Sequence, residues 1–143
     1  MNKDKLKVML LRHEGYNQMP YKCSAGKLTI GVGRNLTDKG LSMDEVEILF
    51  ENDLSEVLKE LNKLDWFCRL DETRQMPIAD MAFQMGVSGL LKFRKMIGHL
   101  ERGWFEKAAK EVLNSKYARQ TPIRAEEISE MLTRWGDQYE ETQ

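Results

Sequence analysis

Residues 14 to 33 read Glu14-Gly15-Tyr16-Asn17-Gln18-Met19-Pro20-Tyr21-Lys22-Cys23-Ser24-Ala25-Gly26-Lys27-Leu28-Thr29-Ile30-Gly31-Val32-Gly33, and this stretch decides how the chain folds. Upstream of it, apolar Leu6, Met9 and Leu10 recur with His13 at helical spacing, so a helix is expected over 4–14 with Gly15 as its stop. Glu14 then sits at a helix mouth, where a side chain can face a cleft. Downstream, Pro20, the glycines and the apolar pair Leu28 and Ile30 predict a hairpin turning at Ser24-Ala25-Gly26. Loop length sets which side chains share a face. A three-residue loop puts Tyr21, Cys23, Lys27 and Thr29 on one face, whereas a two-residue turn separates Cys23 from Thr29. Use of both in one site favours the three-residue loop. A carboxylic acid, a thiol and a hydroxyl are thus delivered by a helix end and two ribbon arms, a layout suited to acid-assisted attack by water.

Further along, Ser42-Met43-Asp44-Glu45 is a capping box that opens a long helix, with apolar Val46, Leu49, Phe50, Leu54, Val57, Leu58 and Leu61 running to about Asn62. Leu64 to Phe67 reads as a short helical turn, followed by a helix over 71–85 with Gly86 as its stop. Pro77 lies inside that pattern and either kinks the helix or restarts it. Helices are also expected over 89–100, 104–114 and 124–135, with Gly103 and Pro122 as punctuation. No repeat or flexible linker interrupts the chain. The expected architecture is α+β: a β lobe over about 15–41, a linking helix over about 42–62, and a helical lobe over about 63–143 that packs with helix 4–14, all within one domain.

A chain of 143 residues with 41% apolar residues can bury a sizeable core. Its 22 basic and 23 acidic residues give a net charge of −1, so no overall field steers it to nucleic acid or a membrane. Locally, Lys92 to Arg124 is basic and Asp44 to Glu60 mostly acidic, which is read as solvated helix faces. Met1-Asn2-Lys3-Asp4-Lys5 leads directly into the first helix, and no run of 18 apolar residues occurs. Neither a signal peptide nor a membrane span is expected, and cytoplasmic synthesis follows. Cys23 and Cys68 form no C-x-x-C pattern and are read as free thiols.

Other chemistries find little support. Gly31-Val32-Gly33 lacks the third glycine and the following helix that would hold a pyrophosphate. His13 and His99 have no metal-ligand spacing, so no metal and no cofactor is expected. A Cys-His nucleophile pair is disfavoured because His13 abuts Glu14 rather than facing Cys23. The methionines, including Met76, Met81, Met85, Met96 and Met131, are read as core filling.

The spacing Glu14, eight residues, Cys23, five residues, Thr29-Ile30-Gly31-Val32-Gly33 resembles the signature of phage lysozymes of the T-even type, glycoside hydrolase family 24. Asp80-Met81-Ala82-Phe83-Gln84-Met85-Gly86 and the segment Ser115 to Ala125 resemble the same family in the same order. The resemblance implies a two-lobed lysozyme-like fold and an endolysin that hydrolyses the β-1,4 bond between N-acetylmuramic acid and N-acetylglucosamine in bacterial peptidoglycan. It further implies a monomeric enzyme held in the host cytoplasm and released to the wall through a membrane lesion made by a partner such as a holin.

By the same resemblance Glu14 matches the general acid, Thr29 the hydroxyl that positions water, and Cys23 a position usually held by aspartate. Phe83 matches a substrate contact and its neighbour Gln84 is read with it as lining the cleft and binding substrate, although core packing is an equally open reading for both. Arg124 matches an arginine that pairs with the acid, and an acidic residue on the long helix would pair Asp53 with Arg34. The contact positions at Asn35, Met96 and Glu111 depart from the family's residue types. Glycoside hydrolysis needs a proton on the leaving oxygen and a nucleophile at the anomeric carbon. A thiol of ordinary pKa, about 8.5, is a poor base near neutrality, so Cys23 assists water, attacks covalently or fills space. A lytic transglycosylase forming 1,6-anhydro ends, which needs only the acid, and a non-catalytic wall-binding module are the rival readings.

Overall fold

Asn2 opens the first helix by accepting a hydrogen bond from the Lys5 backbone N–H at 3.0 Å, and Gly15 closes it in the computed structural model with φ of +80°, its N–H returning to Leu11 O at 3.0 Å. The structure describes residues 1–134. Helix α1 spans Lys3–Glu14, in agreement with the spacing of its apolar residues. Of these only Leu6 is half-buried, while Met9 and Leu10 are partly exposed.

Three antiparallel strands follow in the order β1 (Asn17–Lys22), β2 (Leu28–Gly31) and β3 (Arg34–Asn35). Tyr21 pairs with Thr29 and Lys22 with Leu28. Cys23 N–H donates to Lys27 O at 2.9 Å and Gly26 N–H to Cys23 O at 2.8 Å. These bonds define the three-residue loop Ser24-Ala25-Gly26, with Gly26 in the left-handed region at φ +76°. Burial alternates accordingly: Tyr21, Cys23 and Lys27 are half-buried and Thr29 is buried, whereas Lys22 and Leu28 are exposed. Gly31-Val32-Gly33 is the second turn of the sheet, between the paired residues Ile30 and Arg34.

Helix α2 (Met43–Leu61) starts at the expected capping box. Glu45 N–H donates to Ser42 Oγ at 3.1 Å, and Ser42 N–H donates to Glu45 Oε1 at 2.9 Å. The chain divides into two units inside this helix, Met1–Leu49 and Phe50 onward.

The second unit is helical among the described residues: α3 (Asp65–Cys68), α4 (Glu72–Leu90), α5 (Arg94–Glu101), α6 (Phe105–Leu113), α7 (Lys116–Gln120) and α8 (Pro122–Thr133). Helix α4 runs through Pro77, so neither a restart there nor an interruption at that position is seen. The interruption falls at Gly86, whose φ of +79° and ψ of 156° leave the helical region. The helix expected over 89–100 is corrected: Gly89 and Leu90 end α4, and Phe93, with ψ of 60°, precedes the start of α5 at Arg94. Pro122 starts α8 at its first turn, where a missing N–H costs nothing; Trp135, expected at its end, lies outside the described residues.

Leu61, Ile78, Met81, Leu90, Met96, Val112 and Leu132 are fully buried and anchor the core of this unit, each contributing on the order of 2 kcal/mol by leaving water. Met76 departs from its expected core role, being 57% exposed. Buried among the apolar residues is Arg74, with its guanidinium 4.4 Å over the Phe105 ring. Its Nε donates to Leu132 O at 3.1 Å, one terminal nitrogen donates to Arg134 O, and the other pairs with Asp71 at 3.2 Å. A buried charge so fully engaged ties the start of α4 to the end of α8.

Candidate active site

The first unit carries Glu14, Cys23 and Thr29 on the elements expected of them. Glu14 is the last residue of α1 and is exposed. Its carboxyl end lies against the second turn of the sheet: a Cβ placed on Gly33 would fall 2.6 Å from Glu14 Oε2. The acid from the helix and the turn between β2 and β3 are thus in direct apposition.

Cys23 and Thr29 share the inner face of the hairpin. The loop that returns the chain also aims backbone donors at the sulfur. Hydrogen bonds from the backbone at Lys27 and Ala25 lower the thiol pKa, partial burial opposes them, and the Thr29 hydroxyl adds to the lowering. Thr29 Oγ1 is itself 2.9 Å from Lys27 O, to which it donates. The hydroxyl's single proton therefore has two acceptors within reach, the Lys27 carbonyl and a Cys23 thiolate. The lowered pKa puts more of the sulfur in the thiolate form near neutrality than in an ordinary cysteine, and the thiolate is the form that can accept a proton.

Arg34, immediately after the turn, corrects one expected pairing. Its partner is Glu45, with guanidinium nitrogens 2.7 and 2.8 Å from the two carboxylate oxygens and a third bond of 3.2 Å to Gly40 O. Asp53, the expected partner, lies eight residues farther along α2 and belongs to the second unit. The capping box already named Glu45 as a carboxylate at the helix entrance, and that was the available signal. The Arg34 bond, followed by the Ser42 backbone and side chain, holds the Glu45 pKa down at about 2.

In the second unit, Phe83 and Gln84 are exposed on α4, while the preceding Met81 and Ala82 are fully buried. Neither side chain belongs to the buried core, although most of the Phe83 surface is covered, at 38% exposure. Phe83 meets Phe50 edge to face at a centroid distance of 5.8 Å. Gln84 lines a recess of about 390 Å³ with Phe93, Lys116 and Tyr117. Arg124, expected beside the acid, takes a carboxylate within its own unit: Nε donates to Asp80 Oδ1 at 2.7 Å and a terminal nitrogen to Asp80 O at 3.3 Å. Among the described residues no helix is long and apolar enough to cross a membrane.

The family model of phage lysozyme matches residues 11–134. Two proteins of Dictyostelium discoideum, described as probable T4-type lysozymes 2 and 1, are 31% and 30% identical, each over 86% of this chain and 90% of its own length. The pre-baseplate central spike protein Gp5 of Enterobacteria phage T4 is 34% identical over 68% of this chain, which corresponds to 18% of that longer protein.

Proposed function

Because this chain belongs to the phage lysozyme family and is a lysozyme-like peptidoglycan hydrolase, we propose that it cleaves the β-1,4 bond between N-acetylmuramic acid and N-acetylglucosamine, with Glu14 as general acid. The observation that carries this reading is the hairpin register, which sets Cys23 and Thr29 on one face, in the same unit as Glu14. Glu14 gives its proton to the glycosidic oxygen as the bond from the anomeric carbon to that oxygen breaks. A water held by Thr29 attacks the carbon from the opposite ring face and loses a proton to the Cys23 thiolate. Solvent then returns the proton to Glu14 and removes the one on sulfur. No atom of the enzyme is consumed.

Phe83 and Gln84, exposed and carried on one helix, are the saccharide contacts in this proposal. Host-cell lysis is its biological setting, with access to the wall through a membrane lesion made by a holin-type partner. The test is mass spectrometry of muropeptides released by the wild type and by Glu14→Gln, Cys23→Asp and Cys23→Ser. New reducing ends that vanish in Glu14→Gln support hydrolysis. Products with 1,6-anhydro ends would establish a lytic transglycosylase, and no release by the wild type would leave a wall-binding module.

A further inference from the structure

Gly31 and Gly33 flank the same turn with nearly the same backbone, φ +67° and +64°, yet they face different demands. A Cβ added at Gly31 meets nothing within 4 Å. At Gly33 it would meet Oε2, Cδ and Cγ of Glu14 at 2.6, 3.1 and 3.4 Å. The end of the acid's side chain therefore lies across a bare Cα. Among the described residues the Glu14 side chain has no hydrogen bond or ion pair to the protein, and its carboxyl end lies where a Gly33 side chain would begin.

Gly33 is itself held from its C-terminal side. Arg34 is gripped by both carboxylate oxygens of Glu45 and by the Gly40 carbonyl, while Glu45 is fixed by the capping box of α2. The turn, the last strand and the helix entrance form one braced unit beneath the acid.

We propose that Gly33 is a positioning residue for the general acid: the side chain it lacks makes the seat for the Glu14 carboxyl, and the Arg34–Glu45 pair keeps that seat in place. The inference rests on the reading of Glu14 as acid. Relieving a 2.6 Å approach to an ordinary contact needs a shift of about 1 Å, and misplacement on that scale can cost about a hundredfold in rate because proton transfer requires heavy atoms within about 3 Å.

The test compares Gly33→Ala with Gly31→Ala in the full chain, measuring kcat and KM on soluble peptidoglycan fragments together with Tm. Both substitutions strain a left-handed backbone alike, so comparable losses of Tm are expected. Gly33→Ala is expected to have a kcat at least about tenfold below that of Gly31→Ala, with KM within about twofold. Gly33→Asn tolerates the left-handed region while carrying the same Cβ, and it replaces the alanine variant if that protein fails to fold. Equal kcat values in the two positions overturn the inference and leave the role of Glu14 untouched. Full activity of Glu14→Gln, measured alongside, overturns the underlying reading and the inference with it.

Discussion

Arg34 and Glu45 join the last strand of the sheet to the first turn of α2 through paired contacts of 2.7 and 2.8 Å, so the turn carrying Gly33 ends on a clamped residue. Bidentate geometry makes this pair more restrictive than a single contact between mobile side chains. Its consequences reach both stability and the placement of the acid.

The clamp makes stability depend on acid pH in a defined direction. Bonds from Arg34 first, then from Ser42, hold the Glu45 pKa at about 2, below an unfolded value of about 4.3. A depressed carboxylate contributes fully above the unfolded value, and its contribution is lost as pH falls toward the folded one. Wild type should therefore exceed Glu45→Gln in Tm at pH 6, and the gap should close between about pH 4 and 2. A gap that stays constant with pH would show that Glu45 acts through shape alone.

Cys23 should behave as an activated thiol. Backbone bonds at Lys27 and Ala25 favour the thiolate, so the pH midpoint for its alkylation by iodoacetamide should lie below the ordinary cysteine value of about 8.5. Mass spectrometry of the modified peptide separates it from Cys68, which is also free. Cys23→Ser should lower kcat about a hundredfold, the scale of general-base assistance, and Cys23→Asp should retain activity. Intact activity after both alkylation and Cys23→Ser would remove the thiol from catalysis.

Arg74 should be a stability residue without a catalytic one's signature. Arg74→Met leaves the carbonyls of Leu132 and Arg134 without their donor and is expected to cost about 3 kcal/mol. The check is the urea midpoint, with kcat of the folded fraction unchanged. A loss under 1 kcal/mol would mean that water replaces the guanidinium at both carbonyls.

Phe83→Ala should separate binding from folding. The side chain is 38% exposed and its edge contact with Phe50 is worth about 1 kcal/mol. A saccharide contact predicts a KM raised severalfold alongside that small loss of stability. An unchanged KM would confine Phe83 to its pairing with Phe50.

The parts of the fold that were legible in the sequence are those set by short-range chemistry. Gly15 ending α1, the three-residue hairpin loop and the Ser42–Glu45 capping box each depend on residues within a few positions of one another. Gly86 was legible as a break in α4 for the same reason, whereas Pro77 was ambiguous: whether a helix continues past a proline depends on the packing around it, and here Pro77 is fully buried. The end of α4 and the start of α5 were misplaced because Leu90 to Phe93 carries no strong turn signal.

By itself the sequence determined the family, the α+β order of elements and the face shared by Cys23 and Thr29, because backbone preference and side-chain alternation are local properties that spacing records. Only the tertiary structure decided that Arg34 takes Glu45 rather than Asp53, that Arg124 takes Asp80, that Arg74 is buried, that Phe83 and Gln84 are exposed, and that Gly33 lies under Glu14. Long cationic side chains sweep a volume that holds several carboxylates. Which one they meet, and which Cα an acid rests on, follows from where distant segments come to lie.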